Sequence, residues 1–477
     1  MNELKPPYKR KPNKRPVSVQ RRQNTRPTQA RLLAIRVLDR VESSGAFSDL
    51  SLSAALARST LAPSDRALAT ELLYGTLRWR GRLDFLLAQV LDRKLSEVES
   101  VVRSILRIGA YQLAVMTKIP ASQAVDKTVN CAKVLGAQRA TGFINGVLRN
   151  LNRKLESIDF PPLDTDPLAH IVSSLSLPEW IAARWIKRYG AKDAAALAAA
   201  ANQKPPLTIR TNIRRQSREK LMSKLNDGPY DVQACPVALY GLTIKGRLIP
   251  GEDPAFRNGF FTVQDEASQA VVDLLDPQPG DIVLDACAAP GTKATAIAER
   301  VQETGHVIAV DKHERRLALV GRDARRLGLQ NIELRCLDTT RQLNELGAIK
   351  FDRVLIDAPC SGLGTIRRNP DARWRVKAED PSRLAEIQKL LLKEGIDRLK
   401  PGGVLVYSTC TLEPEENDHV VDAVLSLRRN CRLSDRDDLP ATLHDWIDKR
   451  GLMRAYPHLT GADGFFAAQI TKQEEEN

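Results

Sequence analysis

The sequence lacks several patterns that would each define a class of protein. It has no uncharged apolar run of about 18 or more residues, so we expect no membrane span. No apolar stretch follows its basic N-terminus, so we expect no secretory signal and a cytoplasmic location. Its seven cysteines include no C-x-x-C pair, which argues against a disulfide framework and a structural zinc site. We therefore expect no metal, and free thiols available for chemistry.

Negative charge is the scarcer kind in this chain. The 477 residues carry 72 Lys and Arg against 58 Asp and Glu, a net charge of +14 with a pI near 9.5. Residues 1–30 contain nine Lys or Arg, one Glu and five Pro, so residues 1–28 are predicted to be a basic disordered tail. This surplus favours nucleic acid as the partner, although a tail of this composition could serve solubility alone.

The pattern of apolar residues divides the rest of the chain into four parts. Residues 29–158 show helical spacing throughout, which predicts an all-α bundle. Residues 159–204 are predicted to be a linker with connecting helices, and residues 205–260 a small α/β subdomain that binds RNA. Residues 261–477 repeat strand, turn and helix, which predicts a mostly parallel, doubly wound sheet. We expect the chain to act as a monomer.

Basic residues in the small subdomain are candidates for phosphate contact. Arg210 lies in a predicted strand at 205–212, and Arg214 and Arg215 follow it. A solvated basic face is an equally good interpretation of these three residues.

The turn after the first strand of the predicted sheet is poor in glycine. Its sequence, DACAAPGTK at 285–293, matches neither the G-x-G-x-x-G pattern nor the P-loop, which both cradle phosphates. A nucleoside ligand without a phosphate therefore fits better than a dinucleotide. S-adenosylmethionine is the cofactor we expect, because nearby acids would favour its sulfonium charge.

Acidic residues stand at the ends of four successive predicted strands, at Asp285, Asp311, Asp338 and Asp357. In an open parallel sheet, ligands bind at the carboxyl ends of the strands. Asp311 is placed to accept hydrogen bonds from ribose hydroxyls, and Asp338 suits the adenine. Helix capping would explain one such acid, but it explains four of them poorly.

Two cysteines also end predicted strands, Cys360 and Cys410, and the two strands are expected to be neighbours. Either could be a small buried thiol or a nucleophile. Carbon 5 of cytosine accepts a methyl group only after a thiolate has added to carbon 6. An acid must then offset charge at ring nitrogen 3, a role for Asp357 if it is protonated, and a base must release the product. Two cysteines, an acid and a methyl-donor pocket form a coherent set.

Four ordered motifs within roughly 205–477 resemble the RNA (cytosine-5)-methyltransferases of the Fmu/Sun type. They are DACAAPGTK, DAPCSGLGTIRRNPDARW, YSTCTLEPEEN and GADGFF. The segment ELLYGTLRWR and its position make the helical region similar to a NusB-like RNA-binding domain. This combination points to the bacterial RsmB subgroup, which acts on small-subunit ribosomal RNA. The resemblance implies a Rossmann-like methyltransferase domain, preceded by an all-α NusB-like domain and a small mixed α/β region.

The resemblance also implies roles for individual residues. Cys410 would attack carbon 6, Cys360 would assist product release, and Asp357 would contact the base. The residues expected to bind the cofactor are Cys287, Ala288, Ala289, Pro290, Gly291, Thr292, Lys293, Asp311, Asp338 and Asp357. Those expected to bind RNA are Arg210, Arg367, Arg368 and Arg373.

One residue departs from the family pattern. Thr292 stands where relatives usually carry a second glycine, and we expect it to cap the following helix without blocking the cofactor. A DNA cytosine-5 methyltransferase is the nearest rival interpretation, but it would place the nucleophile in the P-C motif. A catalytically inactive RNA-binding assembly factor stays open. The sequence has no histidine motif near either cysteine, which argues against a thiol hydrolase. It also lacks the glycines that a nicotinamide oxidoreductase needs.

Overall fold

The computed structural model describes residues 28–116, 118–246 and 248–473. Apart from Thr28, the predicted basic tail lies outside these residues.

The N-terminal region is an all-α bundle, as predicted. Its longest apolar stripe belongs to the fifth helix, where Ile105, Leu106 and Ile108 are fully buried. Among the described residues up to 158, every element of regular secondary structure is a helix. They are α1 Gln29–Ser44, α2 Ser48–Ala57, α3 Pro63–Arg78, α4 Arg80–Ala88, α5 Ser100–Ala114, α6 Ala121–Val134 and α7 Thr141–Lys154.

Two helices then connect the bundle to the rest of the chain. They are α8 Pro167–Ser173 and α9 Glu179–Ala200. The second is broken at Gly190, whose backbone (φ 79°, ψ 165°) is not helical. The sequence predicted two helices that meet at this point.

A small antiparallel sheet follows, in the strand order β2-β3-β1-β4. Its inner face packs Ile209, Leu242 and Phe261 into a core of its own. Its elements are β1 Leu207–Thr211, α10 Arg218–Asn226, β2 Asp231–Ala234, β3 Gly241–Lys245, α11 Pro254–Arg257 and β4 Phe261–Val263.

The last and largest part is a mixed sheet of eight strands with helices on both faces. Its central strands are parallel, in the order β9-β8-β5-β6-β7, and three antiparallel strands extend the β9 side. The strands are β5 Ile282–Asp285, β6 His306–Val310, β7 Ile332–Arg335, β8 Phe351–Asp357, β9 Leu399–Thr409, β10 Cys431–Leu433, β11 Leu452–Ala455 and β12 Phe465–Lys472. The helices are α12 Glu266–Leu275, α13 Thr292–Val301, α14 Glu314–Leu327, α15 Ala372–Arg375, α16 Asp380–Arg398, α17 Asp418–Leu425 and α18 Pro457–Thr460.

Strand order places a ligand cleft at the carboxyl end of β5. From β5 the chain proceeds outward through β6 and β7 on one side, and later through β8 and β9 on the other. Such a reversal of strand order leaves a crevice between the loops that follow the strands. Alternate residues of the same strands, such as Leu284 and Val283, face two separate apolar cores. Both faces of the sheet are therefore buried, and a ligand can reach it only at the carboxyl ends of its strands.

The helical bundle packs directly on the segment that follows Cys360. Ser48 donates a hydrogen bond to Asp371 (2.6 Å), and the Trp374 indole donates to the Leu77 carbonyl (2.7 Å). The bundle therefore contacts the segment that carries one of the two candidate catalytic thiols.

Candidate active site

A cleft of about 560 Å³ opens at the carboxyl ends of the parallel strands. Its walls carry three acids and three thiols from different strand ends, together with parts of the loops between them. The predicted site residues that line it are Cys287, Ala289, Pro290, Asp311, Asp338, Asp357, Cys360 and Cys410. Four others, Ala288, Gly291, Thr292 and Lys293, lie in the same turn or at the start of α13.

The turn between β5 and α13 requires its single glycine. Gly291 has φ 111°, and a Cβ at this position would lie 2.9 Å from the Val320 Cα. Ala288 donates its N–H to the Val310 carbonyl (2.8 Å), which ties the turn to β6. Gly291 is the N-cap of α13 and Thr292 its first residue, so the prediction that Thr292 caps this helix is wrong.

Asp311 and Asp338 lie in the cleft wall beside this turn, as their strand ends predict. Each also takes part in its own local turn. Asp311 accepts the N–H of His313 (2.8 Å), and Asp338 accepts the Thr340 hydroxyl (2.6 Å), which lowers the pKa of Asp338. Capping and ligand binding are therefore compatible for these two acids. An open cleft with carboxylates and no phosphate-binding loop fits the hydroxyls and positive sulfur of S-adenosylmethionine.

Asp285 differs from the other three acids because it lies beneath the cleft. Its side chain is fully buried at the end of β5. Burial, and then the charge of Asp357, raise the pKa of Asp285 to about 7. This carboxyl belongs to the floor of the site and not to its lining.

The two predicted thiols meet at the far side of the cleft. Their strands, β8 and β9, are parallel neighbours, with Asp357 paired to Ser408. The sulfur atoms of Cys360 and Cys410 are 3.2 Å apart. The hydrogen bond with Cys410, and then burial, raise the pKa of Cys360 well above its usual value. Cys360 therefore favours its protonated form in this state.

Asp357 connects the thiol side of the cleft with the cofactor turn. The Lys293 ammonium donates to one of its oxygens (2.7 Å), and the Ser408 hydroxyl donates to the other (2.9 Å). Two donors suit an ionised carboxylate, whereas the role considered for Asp357 from the sequence requires a protonated one. Lys293 also lies over the Phe465 ring, in the GADGFF motif, at 5.3 Å from its centre.

Three of the four arginines predicted to bind RNA, Arg210, Arg367 and Arg373, are buried inside the protein. Arg210 is 2% exposed, pairs with Glu299 (2.8 Å) and donates to the Thr292 carbonyl at the start of α13. Arg373 is fully buried, and its guanidinium donates to the Asn202 side chain and to four main-chain carbonyls. The prediction that Arg210 and Arg373 contact phosphate is wrong, because both side chains are buried and bonded to groups inside the fold.

The neighbouring pair Arg367 and Arg368 is also engaged within the protein. Both donate to Asp463, and Arg368 donates in addition to Asp265 (2.7 Å). Arg367 is 3% exposed, so its burial contradicts the predicted RNA contact. Arg368 is partly exposed. Arg214 and Arg215 are the exposed arginines of the original set.

Several residues at the site carry little or no signal in the sequence. Asp49, from the start of α2, and Asn369 line the cleft, although they lie far from the strand ends in sequence. Thr339 donates to the Ala286 carbonyl (2.6 Å) and fixes the β7 loop over the floor. Asp49 reaches the site because the helical bundle packs on the catalytic domain, a contact that no local pattern reveals. Asn369 and Ser408 had a signal only by position, since Asn369 lies in the motif that begins D-A-P-C and Ser408 in the Y-S-T-C motif.

Two kinds of feature are absent from the described part of the chain. Within residues 28–116, 118–246 and 248–473, no helix is long and apolar enough to cross a membrane. Over the same ranges, no group of three or more His, Cys, Asp or Glu is arranged to hold a metal ion.

A doubly wound sheet with acids at its carboxyl edge and a glycine-poor turn after its first parallel strand defines a Rossmann-like methyltransferase. The family model "16S rRNA methyltransferase RsmB/F" matches residues 272–471. The NusB family model matches residues 28–153, and an RsmF/B-like ferredoxin-like domain matches residues 177–248.

Relatives match the chain over nearly its full length. A probable ribosomal RNA small subunit methyltransferase B from Bacillus subtilis (strain 168) is 35% identical, covering 94% of this chain and 99% of the relative. A ribosomal RNA small subunit methyltransferase B from Yersinia pestis bv. Antiqua (strain Angola) is 36% identical, covering 89% of this chain and 95% of the relative. The crystal structure of a methyltransferase homologue from Pyrococcus horikoshii is 30% identical, with a TM-score of 0.56 over 65% of this chain and 99% of that one.

The chain belongs to the RsmB/F family of 16S rRNA methyltransferases. Membership implies S-adenosylmethionine-dependent methylation of ribosomal RNA. The predicted family, fold class and cofactor are confirmed, while the predicted domain boundaries and monomeric state stay predictions.

Proposed function

We propose that this protein methylates carbon 5 of a specific cytosine in 16S ribosomal RNA through a covalent adduct between Cys410 and carbon 6. The observation that carries the proposal is the pair of sulfur atoms, 3.2 Å apart, in the same cleft as the cofactor turn. A single thiol would suffice for simple packing. Two adjoining thiols beside an acid suit addition to a ring and its reversal.

Cys410 is the proposed nucleophile. Its thiolate forms a bond to carbon 6, and the electron pair of the ring double bond makes carbon 5 nucleophilic. S-adenosylmethionine, when bound, supplies the methyl group that carbon 5 accepts. A base then removes the proton from carbon 5, the C–H electron pair restores the double bond, and Cys410 leaves as a thiolate.

Cys360 is the proposed base for that release. Its hydrogen bond with Cys410 is the first cause of its raised pKa. Once the Cys410 sulfur is bonded to the ring, that hydrogen bond is lost, and Cys360 has to give its proton to solvent before it can act as the base. The Cys360 thiolate then takes the carbon 5 proton. One residue therefore acts first as a hydrogen-bond donor and then as a base.

Asp357 is proposed to contact the base edge near ring nitrogen 3. Lys293 and Ser408 hold its two oxygens from opposite sides, so the carboxylate is fixed between the cofactor turn and the thiols. Charge that develops on the ring during addition can be offset by a proton that this carboxyl takes from solvent as the base binds and then donates to nitrogen 3. The proposal does not need a protonated Asp357 in the resting protein.

The cofactor is assigned to the turn and strand-end acids. Cys287, Ala289 and Pro290 offer an apolar wall, and the tight turn at Gly291 packs the start of α13 against Val320 of α14. Asp311 is assigned to the ribose hydroxyls and Asp338 to the adenine. These acids form one side of the cleft and the thiols the other, which suits transfer between two bound molecules.

Ribosomal RNA as the substrate is supported by exposed basic residues. A groove on the helical bundle between α6 and α7 is lined by Arg149, Arg153, Asn150 and Asn152. Arg214 and Arg215 are exposed on the small sheet subdomain. Neutralising backbone phosphates in this way gives affinity without sequence preference, so the cytosine itself is selected at the cleft.

The test is to map 5-methylcytosine in small-subunit RNA from cells with and without the protein, and after incubation of purified protein with S-adenosylmethionine and unmethylated RNA. We expect one cytosine to lose its methyl group without the protein and to regain it in vitro. If RNA from both cells has the same methylation while the protein still binds it, an inactive assembly factor is the better description.

A further inference from the structure

A buried carboxyl group lies behind the two thiols and has no part in the proposed chemistry. Glu416, in the T-L-E-P-E-E-N segment after Cys410, is fully buried. It accepts the main-chain N–H of Ser361 (2.8 Å), and its other oxygen accepts the Ser361 hydroxyl. The Gln388 amide donates to the first oxygen as well (3.1 Å). Burial raises the pKa of Glu416.

These contacts fix the Cys360 loop on both sides of the thiol. Ser361 directly follows Cys360 and is held by Glu416. Pro359 directly precedes Cys360, and its carbonyl accepts a hydrogen bond from Gln388 (2.9 Å). A loop held by hydrogen bonds at both neighbours leaves its central side chain little freedom to shift.

The same network reaches the residue after the other thiol. The hydroxyl of Thr411, which follows Cys410, lies 2.8 Å from the Ser361 hydroxyl. Because the Ser361 hydroxyl donates its proton to Glu416, the Thr411 hydroxyl must donate to Ser361. One carboxyl group therefore orders a chain of hydrogen bonds that links the Cys360 loop to the Cys410 loop.

We infer that Glu416 is a positioning residue for product release, because through Ser361 it holds the Cys360 sulfur at the distance from Cys410 that release requires. The inference rests on the proposed covalent mechanism. Its carboxyl does not touch the reacting atoms, so it acts only through the loop. A shift of about 1 Å in a catalytic group can slow a step by as much as about 100-fold.

The expected kinetic effect separates positioning from general damage to the fold. Release follows the irreversible methyl transfer, so slower release lowers kcat and leaves kcat/KM for RNA near the wild-type value. A partly unfolded enzyme would lose kcat and kcat/KM together. Slower release also leaves more protein covalently attached to RNA during turnover.

The experiment compares wild type, Glu416→Gln, Ser361→Ala, the double variant and Cys360→Ala on unmethylated small-subunit RNA with S-adenosylmethionine. Glu415→Gln is the matched control, because Glu415 lies in the same segment but accepts from Arg184 and not from a cysteine loop. Adducts that survive denaturation are measured with kcat, kcat/KM and thermal unfolding. We expect Glu416→Gln and Ser361→Ala each to lower kcat about tenfold and to raise the adduct fraction. The double variant should be no worse than either single one, because both remove the same link.

Two results would overturn the inference. One is an adduct fraction for Glu416→Gln that equals that of Glu415→Gln, and the other is a double variant whose loss is the product of the single losses. If Cys360→Ala gives no adduct and wild type methylates no cytosine, the proposed function itself fails. Thermal unfolding identifies a Glu416 variant that does not fold, and Ser361→Ala, a smaller change, then decides the matter.

Discussion

Two clusters of polar residues lie within the motif DAPCSGLGTIRRNPDARW, and they have different roles. Asp357 and Cys360, at the start of the D-A-P-C segment, face the cleft. Arg373 and Asp371, near its end, are buried where the helical bundle packs on the catalytic domain. The cleft cluster leaves its groups available to a ligand, whereas the interface cluster uses its donors on carbonyls and side chains. A matching motif therefore identifies the segment but not the role of each charge in it.

The largest expected effect lies in the cleft. Cys410→Ala removes the atom that would bond to carbon 6, so methylation should be lost completely and no adduct should form. Cys360→Ala keeps addition but lacks the release group, so a protein–RNA adduct should accumulate. Each variant is incubated with RNA and S-adenosylmethionine. Denaturing electrophoresis then measures the adduct, and transfer of a labelled methyl group measures methylation.

Ser426→Ala is a suitable control for these two variants, since this hydroxyl bonds only to the Ala423 carbonyl on the exposed surface. An adduct in Cys410→Ala but none in Cys360→Ala would reverse the assignment of the two thiols.

The cleft could be predicted because parallel sheets put their strand ends at one edge. The five central strands end at, or within three residues before, Asp285, Asp311, Asp338, Asp357 and Cys410, as expected. Acids and thiols that end those strands must then lie together, whatever the details of packing. The antiparallel strands β10, β11 and β12 escaped prediction because they are short or are paired through distant parts of the chain.

The arginines could not be predicted, because burial is a property of the tertiary structure. Arg210 and Arg367 look the same in sequence as the exposed Arg214. Arg210 is buried where α13 docks on the small sheet, and Arg367 where Asp463 packs on the motif. Net positive charge thus predicts a polyanion partner, but it does not identify the residues that meet the partner.

The second expected effect concerns the floor of the cleft. Asp285 has a usual pKa of 3.8 that burial raises to about 7, so the folded state holds a proton that the unfolded state loses between these values. Stability contributed by this group therefore falls as pH rises from about 4 to about 7. Asp285→Asn does not ionise, and it should be more stable than wild type at pH 8 by up to about 4 kcal/mol.

Urea unfolding of both proteins at pH 4.5, 6 and 8 measures this difference directly, with S-adenosylmethionine affinity as a check on the site. A gap between the two proteins that stays constant with pH would contradict a raised pKa for Asp285.

The third expected effect lies in the interface. Arg373→Met should lower the free energy of unfolding by about 3 kcal/mol, because it leaves buried carbonyls without donors. Arg373→Lys should recover only part, since an ammonium cannot span acceptors on several segments. Unfolding in urea measures both, and a loss of RNA affinity without a loss of stability would restore Arg373 to the RNA-binding set.

The smallest expected effect belongs to an arginine that neither cluster uses. Arg214 is exposed and pairs with Glu303 (2.6 Å), and such surface pairs contribute about 0.5 kcal/mol or less. Arg214→Ala should therefore leave stability nearly unchanged. If it meets phosphate, the slope of log affinity for RNA against log salt should fall by about 1. Salt titrations of RNA binding, with Glu303→Ala as the control that leaves the guanidinium in place, test this. An unchanged slope would mean that Arg214 lies outside the RNA path, and the same titration of Arg149 and Arg153 variants would then test the α6–α7 groove.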